Sequence, residues 1–153
     1  MEEKIARAVL EDKMKFKFLE HTADIKFQAF GKNIEEVFKN SALALKESIS
    51  EDKIKEKIKK KIFADVEGRG IEGALQGFLE EFLFLFETEG FLLSRILEIK
   101  VEEKQGAYFI TCKMTGDKAK NYEITNHVKA VTFNEIFVRK EKGKWVGQIV
   151  LDV

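Results

Sequence analysis

The sequence predicts an α+β fold, a two-layer sandwich in which a mixed β-sheet is packed by two main helices. Apolar residues recur at helical spacing in two long segments and alternate with polar residues in several shorter ones, and no internal repeat or linker interrupts the 153 residues. A chain of this length that is 44% apolar and contains 14 phenylalanines can build one sizeable core. We therefore expect one domain over residues 1–153, with its elements in the order β-α-β-α-β-β-β-β.

The first strand pattern lies near the start of the chain, after a candidate N-terminal extension at residues 1–13. Apolar and polar residues alternate over residues 15–19, and the alternation resumes on odd positions over residues 25–29. The change of parity predicts a turn or bulge at residues 20–24, between two extended stretches.

The first helix is predicted to begin after Asn33. Asn33 and Glu36 form a variant of the capping box, in which two side chains satisfy main-chain N–H groups at the start of a helix. Apolar residues then recur at helical spacing, so we expect a helix over Ile34–Ile49. Residues 58–66 alternate apolar side chains with charged ones, which predicts a strand with one face in water.

The second helix is marked by a wide apolar stripe over residues 71–86. The width of the stripe predicts that this helix lies across a sheet at the centre of the core, and Gly90 is the expected C-terminal end. Two hairpins are predicted to follow, with turns at residues 104–106 and 141–143. Residues 115–127, between the hairpins, are polar and favour no particular element.

Charge and cysteine content exclude several classes of function. The 27 basic residues balance the 27 acidic ones, so no global field attracts nucleic acid or an anionic membrane. The single cysteine, Cys112, cannot form an intramolecular disulfide and is expected to be a buried, inert thiol. The first residues are charged, and no apolar run approaches the length of a membrane span. We therefore expect a cytoplasmic protein that binds neither membrane nor DNA.

The most distinctive local pattern is His21-Thr22-Ala23-Asp24, at the predicted strand break. A turn at this point can present an imidazole and a carboxylate to the same small volume. The alternative is structural, because Asp24 or Thr22 can hydrogen-bond the main chain of the turn. The residues alone leave both interpretations open.

The end of the chain is a second candidate, because Asp152 interrupts an apolar strand and the main-chain carboxylate of Val153 follows. Burying an uncompensated charge is expensive, so Asp152 is expected either to reach water or to meet a cation. Together with Asp24 it would supply hard oxygen ligands, which suit Ca²⁺, Mg²⁺ or Mn²⁺ better than zinc. His21 would then be a nitrogen ligand or a residue that orients one. Simple exposure of Asp152 is the alternative.

Two further patterns are better explained by structure than by function. The lysine-rich segment at residues 53–61 includes acidic residues and lacks interleaved aromatic residues for base stacking, which favours a solvated strand face. His127 and Lys129 precede a predicted strand and form a small polar group that is typical of a strand start.

The motifs taken together resemble those of the archease family. The resemblance spans residues 14–153 and is carried by segments LEHTADI at 19–25, GKNIEEVF at 31–38, FLEEFLFL at 78–85, VKAVTF at 128–133 and VLDV at 150–153. It implies a non-catalytic protein that assists the RtcB-type tRNA-splicing RNA ligase, promoting its guanylylation with GTP and its multiple turnover. The partner would be the ligase, and tRNA would be contacted only indirectly.

The resemblance also implies that residues matching Asp24 and Asp152 form a divalent-metal site. Family members often have Tyr-His where this chain has Phe133-Asn134, and an asparagine cannot titrate near neutrality. This chain therefore lacks the second histidine that the resemblance would place there.

Two other functions are compatible with the same residues. A metal-dependent hydrolase of phosphoesters would use the carboxylates to activate water, although the sequence offers no separate general base or nucleophile. A chaperone-like RNA-binding adaptor would instead depend on the lysines of residues 53–61.

Overall fold

The computed structural model of the chain describes residues 14–153, so the predicted N-terminal extension at residues 1–13 lies outside the described residues. The strands and helices follow one another as β1 (Phe16–Leu19), β2 (Ile25–Gly31), α1 (Ile34–Ile49), β3 (Ile58–Glu67), α2 (Gly70–Glu89), β4 (Phe91–Lys104), β5 (Ala107–Lys118), β6 (Ala130–Val131), β7 (Phe137–Glu141) and β8 (Lys144–Asp152). A short 3₁₀ turn at Ala119–Asn121 follows β5.

The strands form two sheets. The larger sheet has the order β1-β2-β8-β6, with β7 also paired to β8, and the smaller one has the order β3-β5-β4. Helix α1 packs against β2 and β8 of the larger sheet and β4 of the smaller one, while α2 packs against all three strands of the smaller sheet. The helices therefore share one core with both sheets.

The predicted α+β class and the two main helices are confirmed. The details of the sheets differ from the prediction, because all the strand pairs among the described residues are antiparallel and divide into two sheets. Short connections explain the direction of three of these pairs, β1–β2, β4–β5 and β7–β8, since tight turns join antiparallel neighbours. The two extended stretches predicted before α1 are separate strands, so the element order has two strands there where it had one. Five strands instead of four follow α2, the additional one being the two-residue β6.

Both helices begin and end where the sequence predicted. The Asn33 side chain accepts a hydrogen bond from the Glu36 N–H at 2.9 Å, which satisfies one of the free donors of the first turn of α1. At the end of α2, Gly90 adopts the left-handed conformation with φ 62°. Its N–H donates to the carbonyl oxygens of Leu85 and Phe86 in the last turn. Neither helix of the described residues has the length and apolar character needed to cross a membrane.

The core is centred on a group of phenylalanines contributed by both helices. The Phe38 and Phe78 rings lie 5.6 Å apart between centroids, and Phe78 and Phe82 meet edge to face at 5.0 Å. The predicted central position of α2 is confirmed, because Phe78 is completely buried. The buried Cys112 lies in the same core, as predicted.

Strand β4 departs most from its sequence pattern. The strand begins at Phe91, directly after Gly90, and its register with β5 shifts twice, between Leu93 and Arg95 and again between Ile96 and Glu98. Each shift inserts a residue and changes which face the following side chains occupy. Leu97 is consequently exposed, although simple alternation places it with the apolar residues that follow.

Candidate functional site

The register of the larger sheet brings Asp24 and Asp152 to the same end of two neighbouring strands. Strand β2 pairs with β8 so that Ile25 lies opposite Leu151. The residue before Ile25 is Asp24, and the residue after Leu151 is Asp152, so the two positions adjoin across the strand pair although they lie far apart in the sequence. We call these two residues the carboxylate pair.

Asp152 lies at the end of a central strand and is nevertheless exposed. Ala130 of β6 pairs with it on one side, and the Lys129 N–H donates to the Asp152 carbonyl at 2.8 Å. The main chain of Asp152 is therefore held in the sheet while its side chain reaches water. The sequence left two alternatives for Asp152, exposure to water or contact with a cation. In the structure the Asp152 side chain is exposed. Exposure carries no large desolvation cost and leaves the carboxylate accessible to an ion.

Asp24 follows a turn with unusual backbone geometry. Ala23 has φ 69°, in the left-handed region that residues with a side chain rarely adopt. The Asp24 side chain is one-third exposed, and its Oδ2 lies 3.7 Å from Nδ1 of His21. Among the described residues, neither the Asp24 nor the Thr22 side chain hydrogen-bonds the main chain of the turn.

His21 lies between the carboxylate pair and a residue that the sequence did not single out, Glu135. Nε2 of His21 is 3.1 Å from Oε2 of Glu135, while Nδ1 faces Asp24. Lys26 Nζ donates to the other Glu135 oxygen at 3.3 Å. The hydrogen bond with His21 and then that from Lys26 lower the pKa of Glu135, which favours an ionised carboxylate at this point.

The loop that carries Glu135 is fixed by the sheet beneath it. Gln148 of β8, which is buried, donates from Nε2 to the Glu135 carbonyl at 2.7 Å. The Gln28 side chain of β2 in turn donates to Gln148 Oε1 at 2.9 Å. The loop therefore rests on the same two strands that position the carboxylate pair. The left-handed φ of 54° at Glu135 turns this part of the loop sharply.

The structure brings some of the predicted site residues together and separates others. His21 and Asp24 are neighbours, and Asp152 and Val153 lie at the adjoining strand end. Asn134 is exposed, and its N–H donates to the Thr132 hydroxyl at 3.3 Å, which is a local turn interaction. Within residues 14–153, no group of three or more His, Cys, Asp or Glu side chains is arranged to hold a metal ion.

Sequence reasoning missed Glu135 and Lys26. Lys26 lies on the polar face of a predicted strand, so alternation predicted which face of the sheet its side chain occupies. Nothing in the sequence linked Lys26 to Glu135, which lies 109 positions away. Glu135 belongs to a short irregular segment without periodicity. The nearest signal in the sequence was the difference from the family at Asn134, which is the residue before Glu135.

The chain is similar to known proteins over almost its whole length. Residues 16–153 match the model of the Archease protein family (MTH1598/TM1083). Protein archease of Methanosarcina barkeri is 36% identical over 141 residues, which cover 90% of this chain and 95% of the relative. Protein archease of Pyrococcus furiosus is 37% identical over 139 residues, with 88% of this chain and 95% of the relative covered.

Two solved structures have a fold similar to that of this chain. The solution structure of protein 1598 from Methanobacterium thermoautotrophicum superposes with a TM-score of 0.77 at 31% identity, covering 91% of this chain and 99% of the other. The crystal structure of an archease from Thermotoga maritima, described as a possible chaperone, has a TM-score of 0.56 at 18% identity and shows likeness of fold alone, over 90% of this chain and 96% of the other. The family match covers nearly the entire chain and agrees with the predicted resemblance, so the chain belongs to the archease family.

Proposed function

We propose that this protein is a non-catalytic activator of an RtcB-type tRNA-splicing RNA ligase and that it acts through a divalent metal ion at the carboxylate pair. Membership of the archease family supports the first part. The observation that carries the second part is the register of β2 and β8, which sets Asp24 next to Asp152. Each aspartate is the next residue beyond the last registered pair, Ile25 and Leu151, and neighbouring antiparallel strands are close enough there for one ion to reach both side chains.

The chemistry of the available donors fits a hard cation. Asp24 and Asp152 would supply side-chain oxygens, and a main-chain oxygen of Val153 would supply a third donor group. Ca²⁺, Mg²⁺ and Mn²⁺ prefer oxygen ligands, usually six or more. Three donor groups therefore leave coordination positions open for water or for oxygens of a partner. When bound, the ion would supply positive charge that neutralises a nucleotide triphosphate.

The neighbouring side chains would orient the Asp24 carboxylate for binding an ion. His21 contacts both Asp24 and Glu135, so it limits the directions that the Asp24 side chain can take. Lys26 balances the charge of Glu135 on its other oxygen. In this proposal His21 orients Asp24, and the assignment of His21 as a metal ligand stays a prediction.

The ligase would be assisted by a shift between its own conformations. A partner changes such an equilibrium only if it binds one conformation more tightly than the other. An ion held by the carboxylate pair would provide that difference if one ligase conformation offered it further oxygen ligands.

The test is a ligase assay with single variants of the carboxylate pair. We expect Asp24→Ala and Asp152→Ala each to abolish the stimulation of ligase–GMP adduct formation and of multiple-turnover RNA joining. Asp65→Ala is the matched control, because Asp65 is an exposed aspartate on β3 in the smaller sheet. Retained stimulation by both site variants would contradict the metal-mediated activation. Hydrolysis of phosphoesters by the purified protein without ligase would favour the hydrolase alternative instead.

A further inference from the structure

A large groove runs between the outer strands of the two sheets, away from the carboxylate pair. Its volume is about 640 Å³, and its walls come from β1, α1, the segment before β3, and β4. Phe16 of β1 pairs with Ala29 of β2, five residues along the strand from Asp24. At 3.3 Å per residue this separation is roughly 16 Å, so the groove is a different surface from the proposed metal site.

Positive charge dominates the groove. Five basic side chains line it against two acidic ones, Glu47 and Glu56; the basic residues are Lys15, Lys39, Lys46, Lys53 and Arg95. The chain as a whole is neutral, so this excess is a local feature and not a reflection of composition.

Local ion pairs neutralise only part of this charge. Arg95 pairs with Glu56 at 2.9 Å, and Lys46 pairs with Glu47 at 3.3 Å. Among the described residues, the other three basic side chains, those of Lys15, Lys39 and Lys53, have no ion pair. Three uncompensated cations around one concave surface raise the local potential, which favours an anionic occupant.

The groove also offers apolar surface and strand edges. Leu43 of α1 and Phe16 of β1 are partly buried in it, and Leu97 of β4 is 45% exposed. Strands β1 and β4 are the outer strands of their sheets among the described residues. The main-chain groups along such edges can pair with an extended peptide.

We propose that this groove binds an acidic, extended segment of a partner protein, anchored by at least one large apolar side chain. Charge complementarity selects an anionic partner, and the aliphatic residues among the lining of the groove suit leucine or phenylalanine side chains. Single-stranded nucleic acid is disfavoured, because stacking of bases requires exposed aromatic faces and Phe16 is the only aromatic residue among the described residues that line the groove. The proposal does not depend on the ligase activity.

The experiment is selection of a 12-residue peptide display library on the full-length protein, followed by affinity measurement with labelled synthetic peptides. We expect enriched peptides to carry two or more acidic residues beside a large apolar one. Lys39→Glu combined with Lys53→Glu should weaken binding of the selected peptide about tenfold or more, because each cation becomes a repulsive charge. The matched control combines Lys59→Glu with Lys61→Glu, two exposed lysines of β3. Thermal melting of both variants by circular dichroism establishes that they are folded.

The other results overturn the proposal. Absence of enriched peptides, enrichment without acidic residues, or equal loss of binding in both double variants would remove the groove as a peptide site. Tighter binding of a 12-residue oligouridylate than of the selected peptide would assign the groove to nucleic acid. A dimer in sedimentation analysis that Lys39→Glu with Lys53→Glu dissociates would assign it to a second copy of the chain. Because peptide binding is measured without ligase, these outcomes are distinct from failure of the proposed activation.

Discussion

Hydrogen bonds and burial shift the pKa values of individual carboxyl groups in this protein. Asp117 is buried and accepts hydrogen bonds from the Tyr122 hydroxyl at 2.6 Å and from the Lys118 N–H at 2.8 Å. These bonds, that of Tyr122 first, lower the pKa of Asp117, whereas burial alone would raise it. Glu135 at the candidate site follows the same principle with His21 and Lys26 as its partners. The hydrogen-bonded neighbours therefore decide the protonation state of each carboxyl group.

Replacement of Tyr122 tests this account through pH. Tyr122→Phe removes the donor to Asp117 and the acceptor for the Lys55 N–H, so we expect the melting temperature to fall by a few degrees at pH 6. The folded-state pKa of Asp117 is lowered, so its stabilisation is fully present above its ordinary value of 3.8 and is lost as pH falls through the folded value. The difference between the two proteins should therefore shrink below about pH 4. A constant difference from pH 6 to pH 2 would contradict the assignment.

The single cysteine provides a second test at this scale. Burial in the core raises the pKa of Cys112 to about 12. At pH 8 only about one thiol in ten thousand would then be ionised, and the thiolate is the reactive form. We expect a disulfide reagent such as dithionitrobenzoate to leave the native protein unmodified for hours and to modify one thiol per chain once guanidinium unfolds it. Rapid modification of the native protein would show that this part of the core opens easily.

At the scale of single elements, the ends of the helices were the most predictable features. Asn33 and Gly90 act through bonds to residues three to five positions away, so a short stretch of sequence contains the complete interaction. The shifts of register in β4 depend on β5, and the position of Glu135 depends on Gln148 and on a side chain at the start of β2. Contacts between distant segments leave no local pattern, which explains why the hairpins were predicted while the division into two sheets and the role of Glu135 were not.

The N-terminal cap of α1 can be tested by itself. Asn33→Ala removes the acceptor for the Glu36 N–H, and we expect it to destabilise the protein by about 1 kcal/mol in urea unfolding. Asn33→Asp is the control, because an aspartate side chain caps equally well and its charge is favourable at a helix N-terminus. Equal losses in the two variants would mean that the cap contributes nothing and that Asn33 has another role.

The molecule as a whole depends on α2, which connects the phenylalanine core with both sheets. Phe78 is completely buried and contacts the rings of Phe38 and Phe82, whereas Phe84 on the same helix is 58% exposed. Phe78→Ala is expected to cost about 3 to 5 kcal/mol of unfolding free energy, because it removes apolar burial and leaves a cavity. Phe84→Ala, the matched control, should change stability by no more than about 0.5 kcal/mol. Similar losses in urea titrations of the two variants would show that α2 is not the centre of the core.

The carboxylate pair joins distant parts of the chain, because Asp24 precedes β2 and Asp152 ends the last strand. An ion that binds the two carboxylates only in the folded protein must stabilise it by linkage, by about 2.7 kcal/mol when the free ion is about a hundredfold above its dissociation constant. We expect Ca²⁺, Mg²⁺ or Mn²⁺ to raise the melting temperature in proportion to the logarithm of ion concentration. Asp24→Asn and Asp152→Asn should each remove this increment, whereas the exposed Asp65→Asn on β3 should retain it. An increment that survives in both site variants would mean that the ion binds elsewhere, and the adjoining positions of the two aspartates would then be a consequence of the sheet register alone.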